Sequence, residues 1–170
     1  VIEVGKGKTK LAILGSTGSI GRQTLDIVRA MPERFSVLAL AAGNNLELLT
    51  EQVREFKPAF ISYSRNKNRD DKLKDLVKTV KCEYLPQEEI AAHPDADLVV
   101  AATSGAAGLG VVMAAVRAGK RLALANKESL VMAGEIITRE MAKTGARILP
   151  VDSEHSAIWQ CLQGEKAPHR

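Results

Sequence analysis

A short apolar run, Lys10-Leu11-Ala12-Ile13-Leu14, leads directly into Gly15-Ser16-Thr17-Gly18-Ser19-Ile20-Gly21. A helical pattern follows, with Ile20, Thr24, Ile27, Val28 and Met31 on one face. Strand, glycine turn and helix in this order restrict the chain to folds in which a helix crosses back over a parallel sheet. The rest of the sequence repeats the alternation. Strands are predicted near residues 10–14, 36–42, 59–63, 97–102, 121–125 and 146–150. Helices are predicted near 20–31, 46–56, 70–80, 106–118, 128–143 and 155–163, with a short one over Gln87 to Ala92. Pro58, Pro86, Pro94 and Pro150 punctuate the boundaries. The pattern predicts an α/β fold with a doubly wound, mainly parallel sheet, and it contains no internal repeat.

Composition supports that class. An apolar content of 45% with only 4% aromatic residues suits a parallel sheet covered by helices on both faces. One domain of ordinary size is expected from 170 residues. Cys82 and Cys161 give neither a disulfide framework nor metal-ligand spacing, which points to a reducing compartment. No apolar run is long enough for a bilayer, no signal peptide is visible, and no membrane partner is expected. The formal charge of +4 is local, because Arg65 to Lys81 carries seven Lys/Arg against three Asp. Leu73, Leu76, Val77 and Val80 alternate with those charges at helical spacing. The run therefore reads as a solvated helix face, not a nucleic-acid surface.

The glycine turn suits a dinucleotide, or else simply joins a strand to a helix with no ligand. Glycines let the backbone approach a pyrophosphate, and the helix N-terminus offers free N–H groups and partial positive charge. The spacing is G-x-x-G-x-x-G rather than the commoner G-x-G-x-x-G. The second strand ends at Gly43-Asn44-Asn45, where an NAD-binding protein would carry an acid for the ribose 2′-hydroxyl. Neutral amides there favour NADP, although Asn44 and Asn45 equally read as caps for the helix bearing Leu46, Leu49, Val53 and Phe56. Ala102-Thr103-Ser104-Gly105-Ala106-Ala107-Gly108 is a second small-residue turn, passing a cofactor or permitting close packing.

Two polar clusters follow later strands. Leu122-Ala123-Leu124-Ala125 runs into Asn126-Lys127-Glu128-Ser129. Ala146-Arg147-Ile148-Leu149 runs into Pro150-Val151-Asp152-Ser153-Glu154-His155-Ser156. Ligands of open α/β sheets bind beyond the carboxyl ends of strands, so Asn126, Lys127, Asp152 and Glu154 should share a rim with the glycine turn. Asp152 and Glu154 offer oxygen donors for a hard cation such as Mg²⁺ or Mn²⁺. An Asp-x-Glu at a helix start also reads as an N-cap with a dipole-favoured first turn. Lys127 supplies a cation for a substrate oxygen or phosphate. His155 reads as an orienting neighbour of the carboxylates or a cap, and His93 and His169 as exposed.

Gly15–Gly21, Ala125-Asn126-Lys127-Glu128-Ser129-Leu130 and Leu149–His155, in this order and at these separations, resemble the 1-deoxy-D-xylulose 5-phosphate reductoisomerase family. The resemblance runs from about Leu11 to Gly164. It implies a Rossmann-like NADP-binding domain over residues 1–150 and, over 151–170, the beginning of a metal-binding catalytic domain, truncated. It implies an NADPH-dependent enzyme, with Mg²⁺ or Mn²⁺, that makes 2-C-methyl-D-erythritol 4-phosphate for isoprenoid precursors by skeletal rearrangement and hydride transfer. By resemblance, Thr17, Gly18, Ser19, Ile20, Gly43, Asn44, Asn45, Asn126 and Glu128 contact NADPH. Lys127, Ser153 and Glu154 match substrate-binding positions, and Asp152 and Glu154 match metal ligands. Lys127, Asp152 and Glu154 would carry the catalysis. The implied setting is a cytoplasmic homodimer of bacterial type acting on a small sugar phosphate, with the fragment inactive alone. Two other readings remain open: a cofactor domain of the semialdehyde or homoserine dehydrogenase type, or a nucleotide-sensing domain.

Overall fold

The computed structural model describes residues 7–63, 77, 78 and 80–163. Strand β1 (Thr9–Leu14) and helix α1 (Ser19–Ala30) flank the glycine turn. There follow β2 (Phe35–Ala42), α2 (Leu46–Phe56), β3 (Phe60–Tyr63), β4 (Glu83–Tyr84), α3 (Gln87–Ala92) and β5 (Leu98–Ala101). The chain continues through α4 (Gly108–Arg117), β6 (Arg121–Leu124), α5 (Lys127–Thr144), β7 (Arg147–Pro150) and α6 (Ser153–Cys161). The helix expected at 70–80 and the basic run lie mostly outside the described residues, as does His169.

The strands form one parallel sheet in the order β4-β3-β2-β1-β5-β6-β7. From β1 the chain winds outward through β2 and β3 to β4. It then returns to the other side of β1 with β5 and winds outward again. The sheet is thus doubly wound, with its switch point between β1 and β5 and every strand's carboxyl end on one edge. The two-residue β4 escapes sequence reading because no periodicity exists over two positions.

Successive side chains of β1 enter opposite cores, as a strand buried on both faces requires. Leu11 and Ile13 join Leu25, Val28, Leu40, Leu49, Val53 and Ile61 beneath α1 and α2. Ala12 and Leu14 join Ile90, Val99, Val111, Val112 and Ile137 beneath α3, α4 and α5. The apolar face expected for α1 holds at Val28 and is corrected at Ile27 and Met31. Gly21, Leu25 and Val28 are buried, whereas Ile27 and Met31 are 51% and 37% exposed. The reason lies in the turn: a Cβ on Gly21 would collide with the Gly15 carbonyl oxygen and come within 2.6 Å of Ser16 Cα. Only glycine lets the helix sit this close, and pressing that position inward rotates Leu25 rather than Ile27 toward the sheet.

Two helix boundaries matter for the rim. Helix α5 is broken by non-helical backbone at Ala133, just before Gly134, so its first turns form a separate short segment. Helix α6 starts at Ser153, two residues earlier than expected, because Asp152 is its N-cap. Among the described residues α6 buries none of its side chains, and Ile158, Trp159 and Leu162 stand out 60%, 43% and 57% exposed.

Candidate active site

A cleft of about 540 Å³ opens at the switch point, lined by Gly15, Gly18, Gly43, Tyr63, Thr103 and Ser104 among others. Gly15 adopts φ +91°, and the N–H groups of Gly15 and Ser16 both donate to the Ala41 carbonyl, at 2.9 and 2.8 Å. Gly18 donates to the Gly15 carbonyl at 3.0 Å and is the N-cap of α1, without a side chain to cap it. The N–H groups of the first turn, from Ser19 to Gly21, therefore face outward with no capping oxygen. That turn carries no acid, whereas α2, α3, α5 and α6 all do. A phosphate is thus attracted by the helix end and meets no carboxylate in that turn.

Thr17, Ser19 and Ile20 flank Gly18 at this helix start, and Gly43 and Asn44 lie exposed beyond the end of β2. Asn45 is a cap: its Oδ1 accepts the Leu48 N–H at 3.1 Å. Thr103 Oγ1 is buried at the cleft and meets no hydrogen-bond partner in the protein. A roomy cleft with glycine walls, an acid-free helix start and one unsatisfied hydroxyl fits a dinucleotide, with Glu88 on the far side. The loop after β5 serves both alternatives left open for it. Ala102, Thr103, Ser104 and Ala107 line the cleft, while a Cβ on Gly108 would come within 2.7 Å of both Asn126 Nδ2 and Thr103 Oγ1.

Asn126 is only 1% exposed. Its amide donates to the carbonyls of Thr103 and Gly105 at 2.7 and 3.0 Å, and its Oδ1 accepts the Ser129 N–H and hydroxyl. The side chain thereby braces the β5 loop against the start of α5, with its hydrogen-bonding capacity spent inside the protein. Lys127 and Glu128 follow it, exposed in the first turn of α5.

Strand β7 pairs with β6 (Leu124 opposite Pro150, Val151 N–H to the Leu124 carbonyl at 3.0 Å), which sets Asp152 to Glu154 beside Lys127. Asp152 Oδ1 accepts the His155 N–H at 2.8 Å, and Oδ2 lies 2.7 Å from His155 Nδ1. These bonds, the backbone one foremost, hold the Asp152 carboxyl below the ordinary aspartate range, and the Lys127 charge adds to them. Glu154 is also lowered, first by its own backbone N–H, then by the Ser153 hydroxyl at 3.0 Å, then by Lys127. Two carboxylates held ionised beside each other fit part of a hard cation's shell. Among the described residues no group of three or more His, Cys, Asp or Glu gathers, so they would fill only part of it.

Several residues of this region have no sequence motif to announce them. Ser62, Tyr63, Tyr84, Gln87 and Glu88 line the far side of the cleft. The rule that ligands gather at strand carboxyl ends would have flagged Ser62 and Tyr63, which end β3. Ser16 and Gln52 form a buried pair behind the glycine turn, which only the packing of α2 reveals.

Sheet order, glycine turn and switch-point cleft define a Rossmann-type α/β domain. The sequence model of 1-deoxy-D-xylulose 5-phosphate reductoisomerase matches residues 11–134, and the chain belongs to that family. It is 48% identical over 174 residues to the chloroplastic 1-deoxy-D-xylulose 5-phosphate reductoisomerase of Oryza sativa subsp. japonica, covering 96% of this chain and 37% of that protein. A crystal structure of DOX-P reductoisomerase with NADPH, fosmidomycin and magnesium superposes with TM-score 0.84 at 45% identity, covering 90% of this chain and 38% of that one. The Zymomonas mobilis enzyme in complex with NADPH gives TM-score 0.84 at 36% identity, covering 92% and 42%. The chain thus spans about two fifths of the length of these relatives. A homoserine dehydrogenase from Thiobacillus denitrificans, at 20% identity and TM-score 0.53, shares the fold alone.

Proposed function

We propose that this chain is the cofactor-binding part of an NADPH-dependent, metal-assisted reductoisomerase that converts 1-deoxy-D-xylulose 5-phosphate to 2-C-methyl-D-erythritol 4-phosphate for isoprenoid precursors. The observation that carries the reading is the convergence of Lys127, Asp152 and Glu154 on adjacent strand ends, on the same sheet edge as an acid-free glycine turn. A dehydrogenase or nucleotide sensor of the same fold has no use for that rim.

In this reading the N–H groups of Thr17, Ser19 and Ile20 hold the pyrophosphate, and Gly18 leaves room for it. Gly43, Asn44 and Asn45 bound the ribose 2′-phosphate, and Asn126 and Glu128 shape the nicotinamide side. Asp152 and Glu154, ionised in advance, hold the divalent cation. Lys127 and the Ser153 hydroxyl bind the substrate, with Lys127 screening the charge that gathers on its oxygens. When bound, the cation supplies Lewis acidity for the skeletal rearrangement and NADPH supplies the hydride that reduces the resulting aldehyde. His155 orients Asp152 through both oxygens and leaves their remaining lone pairs for the cation.

Residues 1–150 form the cofactor domain and residues 151–170 begin the catalytic one. The absence of any buried residue along α6 supports that division. The whole protein is read as a cytoplasmic homodimer acting on a small sugar phosphate. Among the described residues no helix is long and apolar enough to cross a membrane. The test follows NADPH absorbance in the full-length protein with 1-deoxy-D-xylulose 5-phosphate and Mn²⁺. Oxidation that requires all three supports the proposal. Oxidation of NADPH by a semialdehyde without metal would replace it with the dehydrogenase reading.

A further inference from the structure

Gln52 sits on the core-facing side of α2 between Leu49 and Val53, both fully buried, and is itself 3% exposed. A polar amide in such a place is costly unless every group is satisfied, and a leucine would fill the position without that demand. Both polar atoms of its amide bond to the glycine turn. Gln52 Nε2 donates to the Ser16 carbonyl at 2.9 Å, and Gln52 Oε1 accepts the Ser16 hydroxyl at 2.8 Å. Ser16 is fully buried, and its own N–H is already committed to the Ala41 carbonyl.

We propose that Gln52 is a positioning residue for dinucleotide binding, clamping Ser16 so that the glycine turn is held ready before a ligand arrives. The inference rests on the dinucleotide reading of the cleft. Its physical core is peptide geometry. The peptide joining Ser16 to Thr17 is planar and trans, so its carbonyl and its N–H point in opposite directions. Holding the Ser16 carbonyl against Gln52 points the Thr17 N–H away from α2. The clamp also joins the turn to the helix that Asn45 caps, so the pyrophosphate and 2′-phosphate regions are fixed to one rigid element. A turn ordered in advance loses less freedom on binding, which is where the affinity comes from.

The test measures dissociation constants of NADPH and NADH by fluorescence titration in the full-length protein, with thermal melts beside them. Gln52→Leu should weaken both nucleotides alike by about tenfold and leave the preference between them unchanged. Ser16→Ala removes one hydrogen bond, keeps the Gln52 bond to the Ser16 carbonyl, and should cost about threefold. Because the two side chains act as one unit, the double variant should bind no more weakly than Gln52→Leu alone. A purely structural role would lower the melting temperature and leave both dissociation constants intact. That result, or unchanged affinity in Ser16→Ala should Gln52→Leu fail to fold, or additive losses in the double variant, would overturn the clamp. A wild-type protein that bound neither nucleotide would remove the dinucleotide reading and the clamp together. Normal wild-type binding with unaffected variants removes the clamp alone.

Discussion

Asp152 caps α6 and, in the proposed reading, also offers oxygen to a cation, and substitution can separate the two tasks. Asparagine caps helices about as well as aspartate, so Asp152→Asn should leave folding and NADPH affinity little changed. Turnover should fall by at least about a hundredfold, because a neutral amide is a poor ligand for a hard cation. Steady-state assays at limiting Mn²⁺ decide this, and near-normal turnover would show the ligand assignment to be wrong. The pH behaviour follows from the lowered value of Asp152. Its ionised cap stabilises the fold fully above the ordinary aspartate range, and that contribution fades as pH falls through the lower folded value. His155→Ala removes the ring contact and keeps the backbone bond, so it should lower stability slightly at neutral pH and make the loss on acidification smaller, as melts across the acid range would show. At the other end of the cleft, Asn44→Asp should shift preference toward NADH by repelling a 2′-phosphate, as paired titrations would read out. Cys82 is buried with its thiol pushed up to about 11, chiefly by burial, while Cys161 is exposed. A thiol reagent at neutral pH should label Cys161 and spare Cys82, as peptide mass mapping would show.

Among the elements, α1 shows where sequence periodicity stops being informative. Of the positions 20, 24, 27, 28 and 31 that satisfy helical spacing only Val28 is buried, and the stripe it shares with Gly21 and Leu25 is the one that packs. Glycine scores as a gap in an apolar pattern, so a helix that buries a glycine reads as rotated. Leu25→Ala should cost about 2–4 kcal/mol in urea unfolding, and Ile27→Ala no more than about 0.5 kcal/mol. Equal losses would restore the face read from the sequence. The strands of the sheet centre were legible because both of their faces are buried, leaving near-continuous apolar runs bounded by glycine and asparagine. The start of α6 was misplaced because an acid-Ser-acid stretch suits a loop, a cap and a first turn equally. The bond from the His155 N–H to Asp152 Oδ1 resolves which applies. The Ser16–Gln52 clamp was invisible for a related reason: the two residues are far apart in sequence and each is unremarkable alone.

At the scale of the molecule, the glycine turn lies within the chain, while on the proposed reading the two acids of the rim would give a cation only part of its shell. Residues 1–170 alone should therefore bind NADPH weakly and show no turnover with substrate and Mn²⁺. Turnover matching a full-length relative would mean that these residues suffice. The sheet order carries a further consequence. Every strand pairs with its neighbour in sequence except at one joint, where β1 meets β5 from Leu11 opposite Leu98 to Leu14 opposite Ala101. The cleft straddles that joint, with the glycine turn on one side and the loop after β5 on the other. Each half of the sheet can assemble from a contiguous stretch, and the joint must close a long chain loop before it gains any contact. A nucleotide lying across it can bind only after closure. NADPH should accordingly slow unfolding in stopped-flow denaturant jumps while leaving the refolding rate unchanged, acting as a latch on the last contact to form.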